Sequence, residues 1–385
     1  MNTHTEFDNI RPYLDEEVAP VIARLLGDPL FKRAVGFVFP DKDWGEIETL
    51  LRSFTNKRDF QHKLITKSVY LMAGRTSDLI DCAGFENIEK GKAYTYISNH
   101  RDIILDASLL CTMLATEGYE TTEIAIGDNL LLHPWIEDVV RLNKSFIVKR
   151  GVSIRQMLEV STHLSKYIHF AINEKKESVW IAQREGRAKN SDDRTQDSLL
   201  KMLAMGGEGD FLSSLKELNI TPVSLSYEYD PCDYLKAKEF QQKRDNPEFK
   251  KSQKDDLLNM ETGLSGYKGN IHFQLGRPIN PSLEKLDSSR PKSELVIEVA
   301  TLIDKEIFRN YKFYPVNYIA YDRLTNGDYF VSQYTKEDIN KFDTYLNKQL
   351  EKIDLENKDI SFLTGKILEM YANPVKNQLS VKECH

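Results

Sequence analysis

AYTYISNHRDIILDASLL, residues 93–110, contains three kinds of pattern in a row. Tyr94, Tyr96 and Ile97 lie in a short β-rich run, Asn99-His100-Arg101-Asp102 is a polar cluster, and from Ile104 the apolar residues recur at helical spacing. Strand, polar turn, helix is the unit from which parallel sheets are built. Working outward, the unit recurs. Further β-rich runs occur at TEIAIG (122–127), KSFIVK (144–149), SVWIAQ (178–183), ITPVSLSY (220–227) and NIHFQLG (270–276). Helical stretches near 104–116, 151–173 and 208–218 fall between them. The pattern predicts an α/β fold with a mostly parallel or mixed central sheet flanked by helices, its crossovers right-handed.

Three polar clusters directly follow three of the predicted strands. His100 and its neighbours, with Asp106 further on, follow the first. Lys149-Arg150 follows SFIV, and Arg184-Glu185-Gly186-Arg187-Ala188-Lys189 follows SVWIAQ. In a parallel sheet the C-terminal strand ends share one edge, and ligands of open α/β sheets bind there. One histidine, acids and several cations are thereby expected in one crevice. Taken singly, each cluster has a plain structural reading: a chance His/Asp neighbourhood, a solvated strand end, a turn with a surface ion pair. Their convergence carries the argument.

Other chemistry finds no support in the sequence. There is no GxSxG elbow, no GxGxxG after a strand, no GxxxxGK[ST] and no HExxH. Gly206-Gly207-Glu208-Gly209 has the wrong spacing for a phosphate loop, and the remaining histidines, including His62, His133, His163, His169 and His272, lack ligand spacing, so no metal is assigned. The four cysteines, Cys82, Cys111, Cys232 and Cys384, are scattered with no CxxC pair, which fits a reducing cytoplasm better than a disulfide framework. A net charge of -7 argues against nucleic acid as a partner. The chain of 385 residues, 41% hydrophobic and 29% charged, is long enough for one large domain with additions, or for two.

The flanks read as helical. Val21, Ile22, Leu25 and Leu26 lie on one face before Gly27-Asp28-Pro29 breaks the run. In DPLFKRAVGFVFP, apolar and aromatic residues crowd around Lys32 and Arg33, which reads either as a core segment or as an anchor at a lipid headgroup boundary. LITKSVYLMAGRTSDLI (64–80) is expected to be a packed helix, and the charged stretch 236–262 an exposed insertion or helix with no chemistry. After residue 290 the helical pattern returns, in 293–311, 335–352 and 358–372, with the aromatic YPVNYIAYD lying in between. The polar, acidic start has no apolar core of a signal peptide, and no run approaches the about 18 apolar residues of a spanning helix.

In this order the blocks resemble the glycerol-3-phosphate and 1-acylglycerol-3-phosphate (lysophosphatidate) O-acyltransferases, the glycerolipid acyltransferase family. The resemblance covers roughly 90–280: Asn99-His100 through Asp106 for the family's H-x4-D, Ser145 through Arg150 for its basic strand end, Glu185-Gly186-Arg187 for E-G-x-R, and Ile220-Thr221-Pro222-Val223 for its proline-bearing strand, with FQLGRPI (273–279) closing the domain. Two departures stand out. His100 and Asp106 are separated by five residues instead of four, which leaves Asp102 as the alternative acid, with Asp106 preferred. Ala188 occupies the position of the pattern's arginine.

The pattern divides the chain into an N-terminal helical region over 1–90, an α/β domain over 91–290, which the resemblance makes the acyltransferase domain, and a C-terminal helical extension over 291–385. The resemblance implies transfer of a fatty acyl group from acyl-CoA or acyl-ACP to a hydroxyl of glycerol 3-phosphate or a lysophospholipid in phospholipid biosynthesis. His100 and Asp106 would be catalytic, and Lys149, Arg150, Glu185, Gly186 and Arg187 would bind substrate. No cofactor is implied beyond the thioester co-substrate. The partners are the donor, a phosphate-bearing glycerolipid, acyl carrier protein as one possible donor, and a membrane surface, touched peripherally from the cytoplasmic side. A thioester or lipid hydrolase, or a non-catalytic lipid-binding module on the membrane, are the alternative readings.

Overall fold

A computed structural model describes residues 6–382; Cys384 and the first five residues of the polar N-terminus lie outside the described residues. Seven strands form one mixed sheet: β1 (Ser77–Ala83), β2 (Thr95–Ser98), β3 (Thr122–Gly127), β4 (Ser145–Val148), β5 (Ser178–Ala182), β6 (Ile220–Tyr227) and β7 (Gly269–Leu275). The order is β1-β7-β6-β2-β5-β3-β4. The five strands β2 to β6 run parallel, as the sequence pattern requires. β7 runs antiparallel to β6, and β1 lies parallel to β7 at the edge.

β1 departs from the expected helix over 64–80. The helix ends at Gly74, and Ser77–Ala83 pairs with β7 instead. As an edge strand with every residue at least partly exposed, β1 carries no alternation strong enough to read as a strand.

Helices cover both faces. On one, the helix Leu105–Thr116 is buried nearly all round, with Leu109, Leu110 and Leu114 fully enclosed against Tyr96, Val223 and Phe273. On the other lie the helices Ile154–Asn173, Asp197–Leu203 and Lys292–Arg309, packed on Ile97, Val179 and Ile220. Burial on both faces is why β6 is apolar or small throughout. The N-terminal helices build a core of their own, with Val18, Val21, Ile22, Leu25, Phe31 and Leu51, shared with Leu142 of the helix Pro134–Leu142. Asp28 caps the helix Pro29–Val38, accepting from the N–H groups of Leu30 and Phe31.

The charged stretch after β6 is helical, one of its two expected forms, but it is not wholly exposed. It forms two helices, Asp233–Asp245 and Gln253–Ser265. Lys236, Glu239, Gln241 and Asn259 in it are buried, each with a polar partner. Charge composition alone does not reveal paired burial. The first of the two helices packs beside the C-terminal helices Lys336–Glu351 and Ile360–Lys382, in a core with Tyr229, Ile319, Phe342 and Ile367, and the second meets the helix Thr66–Gly74. No helix among the described residues is long and apolar enough to cross a membrane.

Candidate active site

The exits of β2 to β6 share one edge of the sheet, and the first of them sets the histidine. Beyond Ser98 the ladder continues, since the N–H of Gln183 donates to the Ser98 carbonyl at 2.8 Å. The Asn99 amide then clamps the chain to β6, donating to the carbonyl of Leu225 (2.9 Å) and accepting from its N–H (2.8 Å). His100 is thereby placed edge-on to Trp180, with ring centroids 5.6 Å apart, and the Trp180 Nε1–H is tied to Ser98 Oγ.

His100 Nδ1 lies 2.7 Å from Asp106 Oδ2. The same oxygen accepts the backbone N–H groups of Arg101 (2.6 Å) and Asp102 (3.0 Å), while Oδ1 accepts the Tyr227 hydroxyl at 2.8 Å. The extra residue between histidine and acid is thus absorbed by wrapping residues 101–104 around the carboxylate. Asp106 is fully buried, and the His100 side chain keeps 12% of its surface open. Burial, and next the Asp106 charge, hold the Tyr227 phenol well above its ordinary pKa, so it remains a donor. With Nδ1–H held by the carboxylate, Nε2 is the free basic nitrogen.

Asp102 has another task. Its Oδ1 accepts from the N–H groups of Ile104 (2.8 Å) and Leu105 (2.7 Å), capping the helix that carries Asp106. Burial and the neighbouring Asp106 charge push its carboxyl above the usual range. Gly263 packs directly on it, for a Cβ there would stand 2.0 Å from Asp102 Oδ2. Arg101 turns away and makes a buried two-point pair with Asp193, at 2.8 and 2.5 Å, so its charge is spent inside the fold.

Residues 79–224 match the family described as Acyltransferase. Those residues, which hold all three strand-exit clusters, are similar to an acyltransferase domain. The solved structure of the 1-acyl-sn-glycerophosphate (LPA) acyltransferase PlsC from Thermotoga maritima is similar at a TM-score of 0.36 and 12% identity, over 75% of this chain and 94% of that one. No curated protein matches.

The predicted cations and acid lie on the exits of β4 and β5. Arg150 Nη1 meets Glu185 Oε1 at 2.8 Å, joining the two exits directly. Lys149 is 44% exposed and 3.8 Å from Asp128. Gly186 adopts φ +67°, the left-handed turn that glycine makes without strain. Arg187 is held by Asn259 through Nη2 at 2.9 Å, leaving a buried Nη1 without a partner. Ala188 is buried and Lys189 pairs with Glu239, so neither presents charge to the cleft. Tyr227, Trp180 and Arg184 went unassigned in the sequence. Tyr227 was within reach, because alternation along Val223, Leu225 and Tyr227 points all three at the helix bearing Asp106. Among the described residues no group of three or more His, Cys, Asp or Glu side chains could hold a metal ion.

Proposed function

We propose that this acyltransferase moves a fatty acyl group from a thioester, acyl-CoA or acyl-ACP, to a hydroxyl of a phosphate-bearing glycerolipid acceptor. The observation that carries the reading is His100 anchored through Nδ1 to a buried carboxylate with Nε2 left free. The thioester is already activated, so a base suffices and no enzyme nucleophile is required. Nε2 takes the acceptor's hydroxyl proton as its oxygen bonds to the thioester carbon. Asp106 fixes the tautomer and stabilises the imidazolium. As the tetrahedral adduct collapses, the C–S bond breaks and the imidazolium returns the proton to the thiolate. Lys149, Arg150 and Arg187 supply positive charge for the acceptor's phosphate, and Glu185 orients Arg150. A membrane surface is the natural source of such an acceptor. Ile154, Met157 and Leu158, exposed by 88%, 52% and 65%, stand just beyond Lys149 and Arg150 at the strand-exit edge and suit peripheral contact with lipid from the cytoplasmic side.

Thiol release from palmitoyl-CoA, with and without glycerol 3-phosphate or 1-acylglycerol 3-phosphate, tests the reaction. Release should depend on acceptor. His100→Ala should lower it by at least about a hundredfold, since general-base catalysis contributes about 10² to 10⁴. Acceptor-independent release would identify a hydrolase instead. Near-full transfer by His100→Ala would refute the base.

A further inference from the structure

Arg184 is the cation of the cleft for which the fold provides no partner. It follows β5 by two residues and is half-buried, with a buried Nε that makes no hydrogen bond. No described residue pairs with it by hydrogen bond or salt bridge. Every other predicted cation is at least partly engaged. Arg150 is paired with Glu185, Lys149 sits near Asp128, Arg187 is held by Asn259 and Lys189 by Glu239. A guanidinium with a desolvated, unpaired nitrogen is costly, and buried donors of this kind are ordinarily satisfied.

The sheet register gives its place. Ser98 is opposite Ala182, and the Gln183 N–H to Ser98 carbonyl bond carries the ladder one step further. Two residues beyond that pair, His100 and Arg184 come level on neighbouring exits. His100 packs on Trp180 of β5, and Arg184 lies in the bend that leads from β5 to Glu185, the partner of Arg150. Ala188, meanwhile, is buried where the related pattern carries an arginine.

We infer that Arg184 is the principal anion-binding residue of the acceptor site and replaces the charge missing at Ala188. Its Nε and an adjacent Nη form a fork that grips two oxygens of a phosphate monoester side-on at the strand-exit edge. Arg187, three residues further along the same exit and held by Asn259, meets the same group through its unpartnered Nη1. The ligand class is a phosphate monoester bearing a free hydroxyl, and the inference rests on the acyl-transfer reading above.

Arg184→Ala and Arg184→Lys are compared with wild type by thiol release from palmitoyl-CoA, varying glycerol 3-phosphate, 1-acylglycerol 3-phosphate or plain glycerol. Melting temperature is measured with and without inorganic phosphate. A lost charge-assisted hydrogen bond corresponds to about a ten- to hundredfold loss of affinity. Arg184→Ala should raise the phosphate acceptor's KM by about that factor, leaving kcat and the palmitoyl-CoA KM within roughly threefold. Lysine should restore part of the loss, since it returns charge without the fork. Without ligand, the alanine variant should melt no lower than wild type, and phosphate should stabilise it less. An unchanged acceptor KM with an unchanged phosphate shift would overturn the inference, as would a lowered melting temperature with kcat and KM altered together. If wild type accepts glycerol as readily as its phosphate and gains no stability from phosphate, the phosphate-acceptor reading itself fails.

Discussion

Asp106 accepts four hydrogen bonds, from His100, two backbone N–H groups and Tyr227. This crowding predicts how its variants behave. In Asp106→Asn the amide oxygen can still take the donors on the Oδ2 side, while the amide nitrogen turns to the Tyr227 hydroxyl oxygen. The fold should survive, but the charge that stabilises the imidazolium is lost. Turnover should fall steeply, read as kcat alongside an unchanged circular dichroism spectrum. Asp102→Asn keeps a capping oxygen and removes a buried negative charge beside Asp106, so its kcat should stay within about tenfold of wild type. The reverse ranking would transfer the orienting role to Asp102. At this scale the sequence was informative about residue types and their order. It could not arbitrate the irregular spacing, because that depends on how residues 101–104 fold around the carboxylate.

The helices after β6 and at the C-terminus meet through a buried carboxylate. Asp233 accepts from the hydroxyls of Tyr345 (2.9 Å) and Tyr371 (2.8 Å) and from Gln349. Burial, and then the charge of Asp230, push its pKa up to about 7. Asp230 goes the other way. Burial alone would raise it, but the Lys236 ammonium holds it below the usual range. For Asp233 the folded pKa exceeds the unfolded value near 3.9, so the folded state holds the proton more tightly. Its stabilising contribution is complete below about pH 4, is lost progressively as pH rises, and is gone above about pH 7. Asp233→Asn should therefore gain melting temperature over wild type at pH 8 and show little gain at pH 4. An equal gain at both pH values would mean that Asp233 does not titrate in this window. Gly263→Ala acts on the same layer from the other side. Its Cβ would strike Asp102, so both stability and kcat should drop. None of this layer was legible beforehand. The long helices after residue 290 announced themselves by their apolar spacing, but the residues that dock them are charged and read as solvated surface.

Across the whole molecule, the strand-exit edge gathers the base, the cations and an exposed apolar turn. DPLFKRAVGFVFP, one of whose readings was a lipid anchor, is divided: Phe31 and Val35 are core, while Leu30 (44%) and Phe37 (65%) are exposed. Ile154, Met157 and Leu158 form the more exposed group and stand beside the site. Replacing Ile154 and Leu158 together by aspartate should lower cosedimentation with anionic vesicles several-fold and spare turnover of the water-soluble acceptor glycerol 3-phosphate. Unaltered vesicle binding would remove this turn from the membrane contact. The alternation of strands and helices made the parallel core of the sheet readable at this scale. The run 270–276 was read as a strand, but its antiparallel direction and the edge strand β1 were not, because direction is set by pairing with partners distant in sequence and has no local signature.

The family match stops at residue 224, in the middle of β6. Tyr227 lies beyond that border and holds Asp106, and β7 seals the flank of β6 that would otherwise be open. The recognisable segment is therefore not a transplantable module. A graft cut at its borders would carry the histidine and its acid but leave behind the phenol that steadies the acid, and would expose an unpaired strand prone to self-association. For this enzyme the smallest portable unit has to run past β7.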